Sequence, residues 1–243
     1  MNQQTSVSSN GGLRRALSGV LFPAFFIAGD VLRGVLASLP LPLPNAPVEE
    51  AARYFAGSRT AVLVVGLCQV LAAISLFVFA GCVVGVVRRA RSEGGALPGA
   101  PWALTRTGGI LAATFLLVSA LLGMALVPVA AGGDLGLVGT LRSLNFLTGG
   151  TLHVASLGIF VGAASLAARR AKALPGWICW LGIVLAVPAL LSLASVAVYF
   201  ANAFILLGRL LAFVWCIAAG IALALGKRHQ RGVVAGEGRH VLA

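Results

Sequence analysis

The sequence predicts an all-α fold: a polytopic membrane bundle of six transmembrane helices with both termini cytoplasmic. Apolar residues make up 59% of the 243 residues and charged residues only 10%, whereas soluble domains carry about a quarter charged residues. The apolar residues form stretches of about 20 residues or more, enough to cross a bilayer core, and the charges fall mostly between them. The lipid bilayer is therefore the first predicted partner of the chain.

Six apolar stretches define the predicted spans, and each ends where charged residues, glycine or proline begin. They comprise residues 17–39, 60–87, 107–131, 143–167, 177–200 and 204–226. The gap between the last two is short and predicts a tight antiparallel hairpin. One transmembrane domain, 17–226, thus lies between a polar segment 1–16, predicted to be a disordered cytoplasmic tail, and a basic cytoplasmic tail over 227–243.

The first span and the loop after it have distinct sequences. The apolar run of the span is too long for a cleavable signal peptide, and Asp30 and Arg33 interrupt it. The outer loop 40–59 opens with alternating prolines, which stiffen an extended chain. Pro47 then precedes Val48-Glu49-Glu50, and a proline followed by acids is typical of a helix start. We therefore expect a short interfacial helix in this loop.

The lysines and arginines are distributed unevenly between the two sets of span ends. Thirteen fall at the ends that include both termini, and three fall at the opposite ends. Cytoplasmic segments carry the excess of basic residues in membrane proteins, so this bias predicts cytoplasmic termini and a multi-pass protein of the cell membrane. The net charge of +12 follows from this topology and suits an anionic lipid surface. No nucleic-acid partner is predicted.

Several polar residues converge on the outer half of the predicted bundle. Asp30 and Arg33 lie past the midpoint of the first span, and Arg209 lies about two turns into the sixth. Charged residues at such depths are costly unless they pair or face water. With Arg33 and Arg209, three uncharged residues complete the predicted substrate-binding group: Asn145, His153 and Tyr199.

Two interpretations of this group remain open. In the first, Asp30 pairs with Arg33 or with Arg209 as a structural brace. In the second, the group lines a pocket that opens outward and holds a hydrophobic small-molecule substrate, with Asp30 as a candidate catalytic acid. Glu49 and Glu50 are further candidates for the acid if they lie over the mouth of that pocket; otherwise they form a solvated helix start.

No motif for a metal, a cofactor or a nucleotide occurs in the sequence. The four cysteines fall inside the spans without metal-type spacing, so neither a metal site nor a disulfide is predicted. His153 lies near the middle of the fourth span, where it is either a hydrogen-bonded packing residue or part of the pocket. The sequence does not indicate an oligomeric state.

Several segments resemble a group of small, uncharacterised multi-spanning membrane proteins of high-GC actinobacteria. The resemblance rests on Gly29-Asp30, on the outer segment 47–55, on Arg88-Arg89-Ala90-Arg91 and on the segment 174–182. It implies a membrane bundle of the same kind and names no activity.

The chain length and the helix-only make-up are also similar to those of membrane-embedded terpenoid cyclases, the bacterial indole-sesquiterpenoid cyclases and their fungal counterparts. This resemblance implies a metal-independent enzyme in which a carboxylic acid protonates an epoxide or alkene of a polyprenyl substrate. The acidic positions of those enzymes do not match this chain residue by residue, so the resemblance carries no site residue with it.

Two functions remain as alternatives. In the first, the chain is an acid-initiated cyclase or isomerase of a membrane-dissolved terpenoid-type substrate, and Asp30, Glu49 or Glu50 donates the proton. In the second, it is a non-catalytic accessory, permeation or resistance protein. Arginines near Asp30 favour its ionised form, which makes it a poor acid, so the glutamates are then the better proton donors.

Overall fold

The computed structural model describes residues 4–92 and 99–240, with side chains over 12–89, 100–198 and 200–226. In these ranges the chain is all helical, with 90% of residues in helices and no strand. Six helical segments are long and apolar enough to cross a membrane. The predicted all-α membrane bundle with six spans is thereby confirmed at the level of helix number, length and composition.

Eight α-helices make up the described chain. Their bounds are α1 Gln4–Leu36, α2 Val48–Gly57, α3 Arg59–Ser92, α4 Gly99–Gly132, α5 Leu135–Phe146, α6 His153–Arg170, α7 Gly176–Leu191 and α8 Asn202–His240. A π-helical segment, Leu147–Leu152, joins α5 directly to α6. A 3-10 segment, Ser192–Val196, continues α7, and a second, Tyr199–Ala201, precedes α8.

The membrane-length segments match the predicted spans in number and order. They are Gly12–Leu36, Arg59–Arg89, Ala100–Gly132, Leu135–Arg170, Gly176–Val196 and Asn202–Gly226. The helical backbone of α1 and α8 extends into the segments 1–16 and 227–243. The disorder predicted for 1–16 and the cytoplasmic side of both tails stay predictions.

The largest difference from the predicted spans is at the fourth, which begins at Leu135 and not at Ser143. Gly133 has a φ of +78°, a left-handed conformation that glycine adopts readily and that reverses the chain after α4. The side chain of Asp134 then accepts a hydrogen bond of 3.0 Å from the Leu137 amide. This contact caps a new helix at its first turn, so the turn and the helix start occupy only two residues.

The six spans form a closed ring in which each packs on the next. α1 packs on α3 and α8, α4 packs on α3 and α6, and α7 packs on α6 and α8. The helix α6 also reaches α3 and α8 across the ring. The span that contains α6 is therefore the most enclosed, with 78% of its most apolar stretch buried against 28% for the span in α1.

The helix α8 crosses two of its neighbours so closely that only glycine fits at the crossing. A Cβ atom on Gly208 of α8 would lie 2.5 Å from the Cα of Ala189 in α7, and a Cβ on Gly220 would lie 2.9 Å from the carbonyl oxygen of Ala16 in α1. Small residues of this kind let transmembrane helices approach closely. The second crossing fixes the contact of α1 with α8 near the end of the bundle where α1 begins and α8 ends, which we call the terminal end.

The helix α2 covers part of the opposite end of the bundle, which we call the α2 end. Glu49 and Glu50 lie exposed in its first turn, whereas Ala52 packs against apolar residues of α4 and α5. The Arg142 guanidinium donates hydrogen bonds to the carbonyl oxygens of Ala46, at 2.8 Å, and of Leu43. These hydrogen bonds attach the loop before α2 to α5. The helix α2 itself lies over α3, α4 and α5.

Candidate functional site

Aromatic rings from α1 and α8 interlock beside α6 at the middle of the bundle. Phe22 and Phe26 of α1 place their ring centroids 5.1 Å and 5.4 Å from that of Phe213 in α8. The imidazole of His153, the first residue of α6, lies edge-on to Phe22 at 6.2 Å. Residues four apart share a helix face. On both α1 and α8, the next turn toward the α2 end therefore continues the same contact surface.

Arg209 lies one helical turn from Phe213 on this surface. Its guanidinium stacks over the ring of Phe26 at 4.8 Å, and its Nη2 donates a hydrogen bond of 2.6 Å to the carbonyl oxygen of Gly149. The residue is partly exposed, but its Nε atom is buried without a hydrogen-bond partner among the described residues. A guanidinium cannot lose its charge at physiological pH, so a permanent cation with an unused donor lies about 10 Å below the start of α8.

The π-helical segment supplies the carbonyl oxygen that Arg209 binds. Gly149 lies so close to the Ser119 hydroxyl of α4 that a side chain there would collide with it. Asn145 fixes Ser119 in place, because its Nδ2 donates to the Ser119 carbonyl oxygen at 2.6 Å and lies 3.2 Å from the hydroxyl. π-Helical turns occur frequently at functional sites, and this one joins α4 and α8 through Gly149.

Asp30 and Arg33 form an ion pair toward the α2 end from Phe26. The Arg33 Nη2 lies 2.9 Å from the Asp30 Oδ1, so Asp30 pairs with Arg33 and not with Arg209. Viewed down the axis of α1, the side chains of both residues project within about 40° of that of Phe26, which faces α8. Their side chains are nonetheless 43% and 31% exposed for Asp30 and Arg33, respectively, whereas Phe26 is buried. The face of α1 that is packed at Phe26 is therefore open at Asp30.

We call the space bounded by Asp30, Arg33, Phe26 and Arg209 the vestibule. The negative charge of Asp30 attracts the Arg209 guanidinium, and the positive charge of Arg33 opposes it. The charge of Arg209 in turn acts on His153. Arg33 also borders a recess of about 320 Å³ that continues along the last turn of α1 to Leu41. The vestibule thus holds two guanidinium groups and one carboxylate above an aromatic floor.

Tyr54 of α2 lies at the edge of this region. Burial raises the pKa of its hydroxyl above the ordinary value, and the charge of Arg33 opposes that shift. The ring of Tyr54 packs with Val62 of α3 and Val127 of α4, so α2 turns its apolar face toward these helices. Glu49 and Glu50 lie on the exposed first turn of the same helix.

The structure brings some of the predicted site residues together and separates others. Asp30, Arg33 and Arg209 meet at the vestibule. Asn145 instead binds Ser119, and it acts on the site only through Gly149. The His153 Nδ1 donates to the Ala112 carbonyl oxygen at 2.8 Å in the core below. The side chain of Tyr199 lies outside the described residues.

Two contributors to the site were missed by the sequence interpretation. Gly149 provides the carbonyl oxygen for Arg209, and Ser119 supports the π-helical turn. The consecutive glycines at positions 149 and 150, inside an apolar span, were the one available signal. A hydroxyl in an apolar helix gives none, because serine also satisfies itself by bonding to its own backbone.

The described residues contain no cluster of three or more His, Cys, Asp or Glu side chains able to hold a metal ion. No protein family, curated protein or solved structure matches the chain. The groups that border the vestibule are two guanidinium cations, one paired carboxylate and the ring of Phe26.

Proposed function

We propose that the chain is a non-catalytic multi-pass protein of the cell membrane that admits a small molecule from outside into the vestibule, in a permeation or resistance role. Its termini lie in the cytoplasm, and the α2 end faces outward. The distribution of lysine and arginine supports this orientation, because thirteen lie at the terminal end and three at the α2 end.

One observation carries the proposal: the partly exposed ion pair of Asp30 and Arg33 lies one to two turns beyond Phe26, on the side of α1 that Arg209 contacts. Charged residues within a membrane span are stable where they face a water-filled cavity or each other. Asp30 lies about 9 Å from the end of α1, too deep for a short side chain to reach the surface. We infer that water in the vestibule solvates its carboxylate together with the paired Arg33 guanidinium.

The interrupted helix beside Arg209 supports the same function. In many transporters the substrate site is formed where transmembrane helices are discontinuous, since the freed backbone groups bind the substrate or its ions. Here the fourth span changes from α-helix to π-helix at Leu147–Leu152, and the sixth span contributes Arg209 at the same level. Both elements border the vestibule.

Cysteine labelling tests the vestibule and its orientation together. In a variant with all four native cysteines replaced by alanine, we expect Asp30→Cys to react with a membrane-impermeant thiosulfonate added outside intact cells. Reaction requires a thiolate and therefore water. Val31→Cys is the matched control, because it lies one residue away and is 61% exposed, but on a face turned about 140° from Phe26.

We expect the control to react at least about tenfold more slowly, since a thiol among lipid chains stays protonated. Equal rates at the two positions would exclude a water-filled vestibule on the side of Phe26. Labelling of Asp30→Cys only in inverted vesicles would place the α2 end in the cytoplasm and reverse the proposed orientation.

Acid-initiated cyclisation stays a prediction, and the aromatic floor of the vestibule is the feature that favours it, since aromatic faces stabilise cations. An ion-paired carboxylate accepts hydrogen bonds and has no proton to give, which weighs against Asp30 as the acid. Glu49 and Glu50 are exposed on α2, and the described contacts of that helix are with α3, α4 and α5.

A product assay separates the two functions. We expect a host that expresses the chain and is fed prenylated-indole epoxides to yield no new isomer of unchanged mass in its extracts. An isomer that disappears on Asp30→Asn or Glu49→Gln would establish a cyclase and replace the non-catalytic proposal.

A further inference from the structure

We propose that the molecule bound in the vestibule is an anionic amphiphile, whose carboxylate or phosphate headgroup binds Arg209 while its chain remains among lipids. This inference rests on the proposed function and names the class of its ligand. It follows from the charge of the vestibule, from the fixed and partly exposed guanidinium of Arg209, and from the exposed apolar residues beside it.

The vestibule carries an uncompensated positive charge. Asp30 is the one acidic residue within the six described spans, and it is paired with Arg33 at 2.9 Å. Arg209 donates to a carbonyl oxygen and stacks on an aromatic ring, and no described carboxylate lies in ion-pair contact with it. The vestibule therefore carries two guanidinium cations and only one carboxylate, so an anionic headgroup completes the charge balance.

Arg209 is also held in one orientation. The Gly149 carbonyl fixes its Nη2, and the ring of Phe26 covers one face of the guanidinium. The residue is nonetheless partly exposed. A guanidinium that is held in one orientation and partly exposed suits oxygen anions, because carboxylates and phosphates accept charge-assisted hydrogen bonds from arginine.

The apolar surface beside the vestibule favours a ligand with a long apolar chain. The helices α1 and α8 approach closely at Gly19 and at Gly220, near the terminal end. Toward the α2 end, no described atom lies within 4 Å of the position of a Cβ on Gly34, so α1 has open space beside that residue. Exposed apolar residues flank the vestibule on both helices, Ile27 on α1 and Leu206 on α8. A headgroup can reach Arg209 from this side while its chain lies among lipid chains.

The test measures thermal unfolding of the full-length protein in phosphatidylcholine nanodiscs with added oleate, oleoyl lysophosphatidate, oleyl alcohol or oleylamine. A ligand that binds the folded state raises the Tm in proportion to the logarithm of its concentration. We expect one or both anionic amphiphiles to raise the Tm and the alcohol and the amine to leave it unchanged. A larger effect of oleate identifies a free fatty acid as the source, and a larger effect of lysophosphatidate identifies a lipid phosphate.

Three variants locate the site. Arg209→Gln should weaken anion binding roughly a hundredfold, because it removes the buried cation. Asp30→Asn should strengthen it about threefold to tenfold, since it removes the negative charge nearest the headgroup. Arg142→Gln is the matched control: it also removes an arginine bound to carbonyl oxygens, away from the vestibule, and should leave the affinity unchanged.

Several results would overturn the inference. Equal Tm shifts from oleate and oleyl alcohol would show that charge is not recognised. Equal shifts from acetate or inorganic phosphate alone would show a site for small anions and not for amphiphiles. Weaker binding in Asp30→Asn would contradict the charge argument even if Arg209→Gln does not fold. If Asp30→Cys is labelled from outside but no anion binds, the vestibule stands and only its ligand class fails.

Discussion

Replacing Gly208 by valine is expected to destabilise the protein by about 3 kcal/mol or more and to lower its Tm by roughly 10 °C. A Cβ at this position would lie 2.5 Å from the Cα and 2.8 Å from the amide nitrogen of Ala189. Both atoms belong to the backbone of α7, so no rotamer change relieves the collision. The two helices must separate, and the packing of α7 on α6 and α8 is lost with them.

The native cysteines provide the measurement. Cys82, Cys179 and Cys216 are buried, and a thiol-reactive dye reports their exposure as the protein unfolds with temperature. Gly81→Val is the matched control, because no described atom lies within 4 Å of a Cβ at that exposed position of α3. A Tm for Gly208→Val within about 2 °C of the control would refute the close crossing of α7 and α8.

Trp215→Ala is expected to cost about 3–5 kcal/mol. Trp215 is fully buried, and its ring packs edge-on against Phe79 of α3 and Phe160 of α6 at 6.3 Å and 5.9 Å between centroids. Its Nε1 donates to the Ile178 carbonyl oxygen of α7 at 3.2 Å. The indole of α8 therefore joins three other spans, and truncation leaves a cavity where they meet.

The control for this variant is Trp177→Ala, since Trp177 is 64% exposed at the start of α7. Its loss should change stability by less than about 1 kcal/mol. The same dye-based unfolding assay applies, and Trp215→Phe should fall between the two because it keeps most of the ring contacts. Similar Tm values for the two alanine variants would contradict the buried position of Trp215.

Hydropathy was sufficient to predict the six spans, because lipid contact imposes an apolar composition on every exposed face of a transmembrane helix. It was insufficient at the start of the fourth span. Residues 135–142 include two glycines, a threonine and Arg142, a composition that suggests a loop. Their helix is stabilised instead by the Asp134 cap and by the contact of Arg142 with the loop before α2, and neither contact changes the hydropathy.

The ion pair of the vestibule could be predicted in part. The three-residue separation of Asp30 and Arg33 on one helix predicted that they could pair. The position of Arg209 along its span predicted that it lies at a similar depth in the membrane. The rotation of one helix relative to another is not encoded in depth, so the sequence could not show that Arg209 binds Gly149. For the same reason it could not show that Asn145 and His153 face α4 and not Arg209.

Because of the π-helical turn, the side chains of α5 and those of α6 point in different directions around the axis of the fourth span. A hydrogen-bond register of five residues in place of four delays the chain by about one residue, or roughly 100° of rotation. As a result α5 presents its side chains to α2 and α4, while α6 presents its own to α7 and α8 as well. A shift between the two registers would twist the half toward the α2 end relative to the rest of the span, and it would move the carbonyl oxygen that holds Arg209. The carbonyl oxygen that holds Arg209 thus lies in the stretch of this span whose backbone register differs from that of α5 and α6.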